Sequence, residues 1–399
     1  MAAPPSDGDP SRGRGPAAAA HPSADVDLAV IGAGVVGCAV AREAAARGLA
    51  VALLEAEPGE GRGVTGRNSG VLHSGLYYAP GSHKARACVR GQALAYEWAA
   101  RHDVPHRRTG KLVVARTPGQ EAELQALAAN ARANGARDVT LVTAREALRR
   151  EPALAPQTPQ GFVRGALWCP WSGVIDAHAF THSLLVDAER RGALVAFGAR
   201  VHGARVRGDG AWRLETTRGP LVASAVVNAA GLHADEVASL CGVEGYEIRP
   251  ARGDWFALTP RLSRTRGPKV LLYPGRAPGG GGLGIHSNVD LAGAVRFGPD
   301  FQWVGSKDVV APDESKREAF HAAAEALVGP LPPQALTWDG AGLRPRLFER
   351  ARGETIERQD FVLHRQTEPG RALHLMGVDS PGLTAALALA EEVLAAVLS

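Results

Sequence analysis

The stretch VDLAVIGAGVVGCAVAREAAARGLAVALLE, residues 26–55, decides the fold. Its first six residues, Val26–Ile31, are apolar except for Asp27 and read as a strand buried on both faces of a parallel sheet. The chain passes directly into Gly32-Ala33-Gly34-Val35-Val36-Gly37 and then into a helical pattern through Arg47, which Gly48 stops from the position just beyond the helix. Residues 50–54 form a second apolar strand with Glu55 at its tip. This is a complete strand–helix–strand unit with G-x-G-x-x-G at the first turn. Gly32 makes the tight turn, Gly34 lets the backbone approach a pyrophosphate, and Gly37 lets the helix pack on the strand. Free N–H groups at the helix start face phosphate charge, and Glu55 can accept hydrogen bonds from a ribose. An ordinary glycine-rich turn would not need this context, so the unit points to a bound dinucleotide.

The same spacing recurs at residues 279–284, GGGGLG. It follows Pro278 rather than a strand and leads into an alternating segment, so it reads as a flexible loop entering a strand. One nucleotide motif in proper context favours a single dinucleotide. Elsewhere, residues 176–192 read as an amphipathic helix leading into a strand over 193–197, with a hairpin around Gly208-Asp209-Gly210. Helices are expected over 119–134 and 313–328.

Four further segments choose the dinucleotide. They are TGRNSG at 65–70, continuing as VLHSGLYY; VVNAAGLHAD at 226–235; GAGLRP at 340–345; and GVDSPGLTA at 377–385. Together with the N-terminal unit they resemble the D-amino-acid-oxidase-like superfamily of FAD oxidoreductases. Within it, SHKARACVRG and GLGIHSNVDLAGAVRFGPD, in order with the others, are similar to the L-2-hydroxyglutarate dehydrogenase family. The resemblance runs from Val26 to the end, weakest over about 115–170. It implies noncovalent FAD, since no cysteine or histidine demands a covalent link. It also implies an α/β fold: a Rossmann-like FAD-binding domain over 26–98, 174–245 and 339–399, with a discontinuous, mainly antiparallel β-sheet substrate domain over 99–173 and 246–338. By the same resemblance, Asn68 and Ser69 face the flavin, Val201 meets adenine through its backbone, and Ala230 and Gly231 pass the pyrophosphate. Gly382, Leu383 and Thr384 begin a helix whose positive end would stabilise reduced flavin.

Oxidation of a 2-hydroxy acid requires a held carboxylate, a departing hydroxyl proton and a C2 hydrogen facing the flavin. Arg344, in AGLRP, is the expected carboxylate anchor, because a guanidinium binds carboxylate in bidentate fashion. The alternative is a surface arginine stacked on Pro345. His73 is the leading proton acceptor and His286 its rival, either of which titrates near working pH. The second anchor of a five-carbon diacid is sought among Tyr77, Tyr78, Lys84, Arg90 and Arg252. Ser287-Asn288 and His83 depart from the family pattern and leave the exact hydroxy acid open. The expected activity is oxidation of L-2-hydroxyglutarate to 2-oxoglutarate, with electrons passed to a quinone or respiratory-chain acceptor. An amino-acid oxidase, a glycerol-3-phosphate dehydrogenase-like enzyme and an inactive flavin-binding assembly factor are the alternatives.

Composition narrows the remaining classes. With 399 residues, 45% of them hydrophobic, the chain can bury a large core. The net charge is +4, but the arginines are scattered and not interleaved with aromatics, which argues against nucleic acid and suits a small anionic substrate. Cys38, Cys88, Cys169 and Cys241 show neither zinc nor disulfide spacing, so no metal is expected. No apolar run reaches the ~18 residues of a membrane span. Residues 1–25 read as a disordered tail, being rich in Pro, Gly, Ala and Ser without the apolar core of a signal. A cytoplasmic enzyme, peripheral at most to a membrane face, is expected.

Overall fold

Strand Val26–Ile31 buries five of its six residues and lies at the centre of a parallel sheet, as its unbroken apolar run requires. In the computed structural model the described residues are 23–276, 283–308, 311–351 and 353–399. Residues 1–22 of the expected tail and 279–282 of the glycine-rich loop lie outside them. Leu28 to Ile31 pair in parallel with strand Val51–Leu54, which pairs in turn with Leu194–Ala196. On its other side, Val26–Ile31 pairs with the end of strand Gly219–Asn228, followed by Ala372–Met376. Val362–Gln366 closes that edge antiparallel. The expected hairpin, Val201–Val206 with Trp212–Thr216, joins the sheet through the first half of Gly219–Asn228.

Helix Val35–Ala46 returns the chain from the first strand to the second. Gly48, at φ +82°, sits just past its end as expected. Alanines 39, 41, 44 and 45 are buried, and such small side chains let the helix lie close against Ala177–Arg190 and Gly382–Leu398. Gly91 on helix His83–Arg101 serves the same end: a Cβ there would stand 2.2 Å from the carbonyl oxygen of Thr384, so only glycine admits the last helix.

The second half of the molecule is built mainly from two sheets rather than the one expected, with a small hairpin of Gln157–Thr158 and Gly161–Phe162 beside them. One carries Leu271–Pro274, Lys111–Ala115, Gly165–Cys169 and Thr140–Thr143; its first pair is parallel. The other is antiparallel, with Tyr246–Leu258 paired to Leu336–Ala351 along its full length. Both contribute to one core containing Phe256, Phe297, Phe320 and Tyr273. The helices expected there are Pro118–Ala133 and Arg317–Val328.

The domain boundary drawn at Asp339 falls inside the single strand Leu336–Ala351, so residues 339–351 belong with the antiparallel sheet. The strand buries Ala341, Leu343, Pro345 and Leu347 and turns Gly342, Arg344 and Arg346 to its other face. That alternation was obscured because its second face is polar and faces the site. The boundary at 98/99 likewise cuts helix His83–Arg101.

Candidate active site

A cavity of about 900 Å³ runs between the two halves, from the first glycine turn to Arg344. Glycine is required at the turn. A Cβ on Gly32, which has φ +102°, would meet the Ala229 carbonyl oxygen at 2.6 Å, and one on Gly37 would meet the Gly32 carbonyl oxygen at 1.8 Å. A Cβ on Gly34 would stand 3.3 Å from Thr65 Oγ1. Glu55 accepts from the Ala33 N–H at 2.6 Å and the Glu57 N–H at 2.8 Å. It therefore ties the glycine turn to the second strand and also lines the cavity. Val201, Ala230 and Gly231 line the same end.

The chain turn at Ala229-Ala230-Gly231 is held by Asn228, which sequence reasoning passed over. Asn228 is fully buried; its Oδ1 accepts from Ala230 N at 3.1 Å and its Nδ2 donates to Ala234 O at 2.7 Å. The same amide faces His374 Nδ1 at 3.2 Å, so the histidine proton sits on Nε2, donating to Gln366 Oε1 at 3.1 Å. Burial pushes His374 down to about 4. The sequence signal was an amide ending an otherwise apolar strand.

The loop at 65–70 turns back on itself. The Asn68 side chain donates to the Thr65 carbonyl and accepts from Gly70 N at 2.6 Å, so its amide shapes the loop, although the residue also lines the cavity. Ser69 lines the cavity and its carbonyl accepts from Asn288 Nδ2 at 2.6 Å. Gly382 and Leu383, opening helix Gly382–Leu398, face the cavity, whereas Thr384 is 1% exposed. Thr384 Oγ1 instead accepts from His73 N at 3.0 Å and donates to Val71 O at 3.2 Å, fastening the helix start to the histidine loop. A helix of this length directs partial positive charge out of its first turn.

His73, His286, Arg344 and Tyr273 gather at the far end. His286 Nδ1 lies 2.9 Å from the Gly284 carbonyl oxygen. A carbonyl can only accept, so Nδ1 carries the proton and Nε2 keeps its lone pair. The ring stacks on Tyr273 at 3.8 Å and meets Trp255 edge-on at 5.8 Å. Burial is the main cause that pushes His286 down to about 3; Lys111 and Arg344 add to it. His73 is held well below its ordinary range, first by burial and then by Lys111, His286 and Arg344. Its Nε2 lies 3.4 Å from Ser380 Oγ. Both imidazoles are thus neutral bases at ordinary pH. Arg344 has no carboxylate partner among the described residues.

The expected second anchors are committed elsewhere. Lys84 is buried against Asp379 at 2.8 Å, and Arg346 reaches the same carboxylate at 3.1 Å. Arg252 forms a two-bond pair with Asp254 at 2.7 and 2.6 Å. Arg90 is exposed and paired with Glu391. These three positions were drawn from motif proximity alone; each is engaged in an ion pair, and none lines the cavity. Tyr77 packs between Arg276 and Lys111, and the Tyr78 carbonyl accepts from Asn130 and Asn134 Nδ2; neither residue lines the cavity. The departing positions also lie outside it. Ser287 Oγ accepts from Leu272 N at 2.9 Å to join the two sheets, and His83 pairs with Glu392. Residues missed by sequence reasoning are Tyr273, Trp255, Lys111 and Asp379; the first three stand outside the quoted motifs, and Asp379 lies within GVDSPGLTA, where only the helix start was read.

The residues fit FAD. The glycine cradle excludes side chains where a pyrophosphate would lie, Glu55 stands at the ribose end, and the helix start stands at the other. A volume of about 900 Å³ is within the range of cofactor sites.

The chain matches the FAD dependent oxidoreductase family over residues 27–396. It is 32% identical to the mitochondrial L-2-hydroxyglutarate dehydrogenase of Arabidopsis thaliana, over 92% of this chain and 82% of that one. It is 28% identical to the glycerol 3-phosphate dehydrogenase of Caloramator mitchellensis, over 91% and 72%. Among solved structures, the FAD-bound L-alpha-glycerophosphate oxidase of Mycoplasma pneumoniae superposes with a TM-score of 0.82 at 23% identity, covering 93% of this chain and 94% of that one. No helix among the described residues is long and apolar enough to cross a membrane. The plant relative is mitochondrial by name, which lends the expected cytoplasmic placement no support. The chain belongs to the FAD-dependent oxidoreductase family, as a flavoenzyme with L-2-hydroxyglutarate dehydrogenases among its relatives.

Proposed function

We propose that the enzyme oxidises L-2-hydroxyglutarate to 2-oxoglutarate. The observation that carries this reading is Arg344, a guanidinium without a carboxylate partner among the described residues, beside two neutral histidines at the end of the cofactor cavity. The plant relative's name supports the choice of acid.

Arg344 binds the carboxylate next to the reacting carbon, and its planar fork sets the orientation of C2. His73 accepts the hydroxyl proton as the C2–O bond becomes a carbonyl. Bound FAD supplies the acceptor for the hydrogen and electron pair leaving C2. The His73 ring is placed for this by its backbone: the N–H is held by Thr384, and the carbonyl accepts from Gln92 Nε2 at 2.8 Å. His286, with its Nε2 lone pair available, orients the hydroxyl. Burial first, and then Lys111, His286 and Arg344, disfavour an imidazolium at His73. Substrate carboxylates would offset the part of this that comes from Lys111 and Arg344. Trp255 and Tyr273 wall the site with aromatic surface and limit water.

We expect the FAD to be noncovalent, a reading supported by the cysteines, all four of which are buried and none of which lines the cavity. Acid precipitation should release the flavin into the supernatant, and a yellow pellet would contradict this. A quinone-type acceptor is our reading from the family resemblance; fast reoxidation by a soluble quinone and slow reoxidation by oxygen are expected. The relatives that act on glycerol phosphates, by name, make a dianionic phosphate substrate the second reading. Anaerobic titration separates the two, since only one of L-2-hydroxyglutarate and glycerol 3-phosphate should bleach the flavin efficiently. Bleaching by amino acids would indicate an amine oxidase, and bleaching by nothing an inactive flavin-binding factor.

A further inference from the structure

Lys111 opens strand Lys111–Ala115 and is 1% exposed. Lysine is seldom buried without a partner. Other cations near the cavity obey that rule: Lys84 and Arg346 share Asp379, and Arg252 pairs with Asp254. Among the described residues, no hydrogen bond or ion pair reaches the Lys111 ammonium. Its surroundings are rings and thiols. Nζ lies 4.3 Å from the Tyr273 ring centroid and 5.9 Å from that of Tyr77. Cys88 and Cys169 lie within its field, and burial pushes both thiols up to about 12, so neither supplies a thiolate at neutral pH. A cation–π contact offsets only part of the loss of hydration.

Tyr273 connects this charge to the site. Its ring lines the cavity and stacks on His286, which places Lys111 one aromatic ring behind the wall at the Arg344 end. Arg276 also lies over Tyr77, at 4.6 Å, but makes no such contact with Tyr273. The substrate end therefore carries two positive charges, from Arg344 and Lys111, that no carboxylate of the described chain neutralises.

We propose that Lys111 is the specificity-determining cation for a second carboxylate: Arg344 holds the one beside the reacting carbon, and the ammonium behind Tyr273 favours a second negative charge on the same substrate. This deepens the hydroxy-acid reading and rests on it. Lys111 does not touch the reacting atoms; it selects a diacid over a monoacid of equal length through its field, which is strong in a low-dielectric wall.

The test uses the FAD-loaded wild type, Lys111→Met and Lys111→Arg. Glutarate and pentanoate are titrated into each oxidised enzyme, with binding read from perturbation of the flavin absorbance. L-2-Hydroxyglutarate and L-2-hydroxypentanoate are then compared in anaerobic reduction. The wild type should prefer the diacid, and Lys111→Met should lower that preference by about 30-fold or more in both assays, with pentanoate affinity changed by no more than about threefold. Lys111→Arg should retain part of the preference. The melting temperature of Lys111→Met without ligand should hold or rise, since an uncompensated buried charge is removed. A wild type without diacid preference, a Met variant that keeps it, or equal loss for both acids would overturn the proposal. Failure of both hydroxy acids to reduce the wild type would sink the functional reading, while the glutarate-to-pentanoate ratio would still decide the role of Lys111.

Discussion

The cofactor end and the substrate end of the cavity are built by different means. At the cofactor end, backbone does the recognising: glycines at 32 and 37 leave no room for a Cβ, and Glu55 and Asn228 direct their side chains at backbone N–H groups. The lining of that end comes from short segments around 32–36, 55–57, 62–69, 199–201, 229–233 and 378–383. At the proposed substrate end, side chains brought from far apart in the chain gather: His73, Lys111, Tyr273, His286 and Arg344. On this reading the first design tolerates little change at any position, and single substitutions in the second should leave the flavin in place.

That contrast can be broken first at the glycine turn. Gly37→Val would drive a side chain into the Gly32 carbonyl, which a Cβ alone would approach to 1.8 Å. Loss of bound flavin and of folded yield is expected, read by visible absorbance of the purified protein; a yellow, stable variant would refute the assigned role. At the substrate end, variants should keep their flavin. His73→Asn should slow anaerobic flavin reduction by about 100- to 10,000-fold with little change in substrate affinity. Equal losses in rate and affinity would point to a binding role instead. Arg344→Met should cost about 2–5 kcal/mol of substrate interaction, roughly 30- to 5,000-fold in kcat/KM. An unchanged KM and kcat would return Arg344 to the surface role it could have on Pro345.

A smaller effect separates the ends by pH. The folded-state value of His374 is depressed to about 4 at 0% exposure. Its neutral form therefore contributes stability that is complete above the unfolded value near 6.5 and is lost as pH falls toward 4, at most about 3 kcal/mol. Melting temperature should fall across that window, and His374→Gln should flatten the slope; parallel curves would exclude His374 as the cause. The depressed value of His73 has a kinetic counterpart: the acid limb of kcat/KM should lie well below pH 6.5. The smallest effect belongs to Arg90, exposed and paired with Glu391. Arg90→Ala should change stability by less than about 0.5 kcal/mol and leave turnover unaltered.

The same division explains what could be read before the structure. The strand–glycine–helix unit was legible because its rules are local: apolar runs, a turn glycine and an acid at fixed spacing. His73, His286 and Arg344 were legible because each stands beside a glycine-flanked segment in the order of a known family. Lys84, Arg90 and Arg252 were misplaced by the same reasoning, since proximity in sequence to a motif does not reveal a carboxylate partner. Asp379 stands 295 residues from Lys84, beyond any local pattern, whereas Asp254 follows Arg252 by two residues on the same strand, a spacing that the sequence did carry. Lys111 was overlooked because a lysine beginning an apolar strand looks like an exposed end. Only the packing of Tyr77, Tyr273, Cys88 and Cys169 around it reveals a buried charge.

Anaerobic titration of the purified, FAD-loaded enzyme with L-2-hydroxyglutarate tests the central claim most directly. Stoichiometric bleaching of the oxidised-flavin band by the L isomer, with none by the D isomer, is the expected result. A flavin that stays oxidised with L-2-hydroxyglutarate but bleaches with another donor would contradict it.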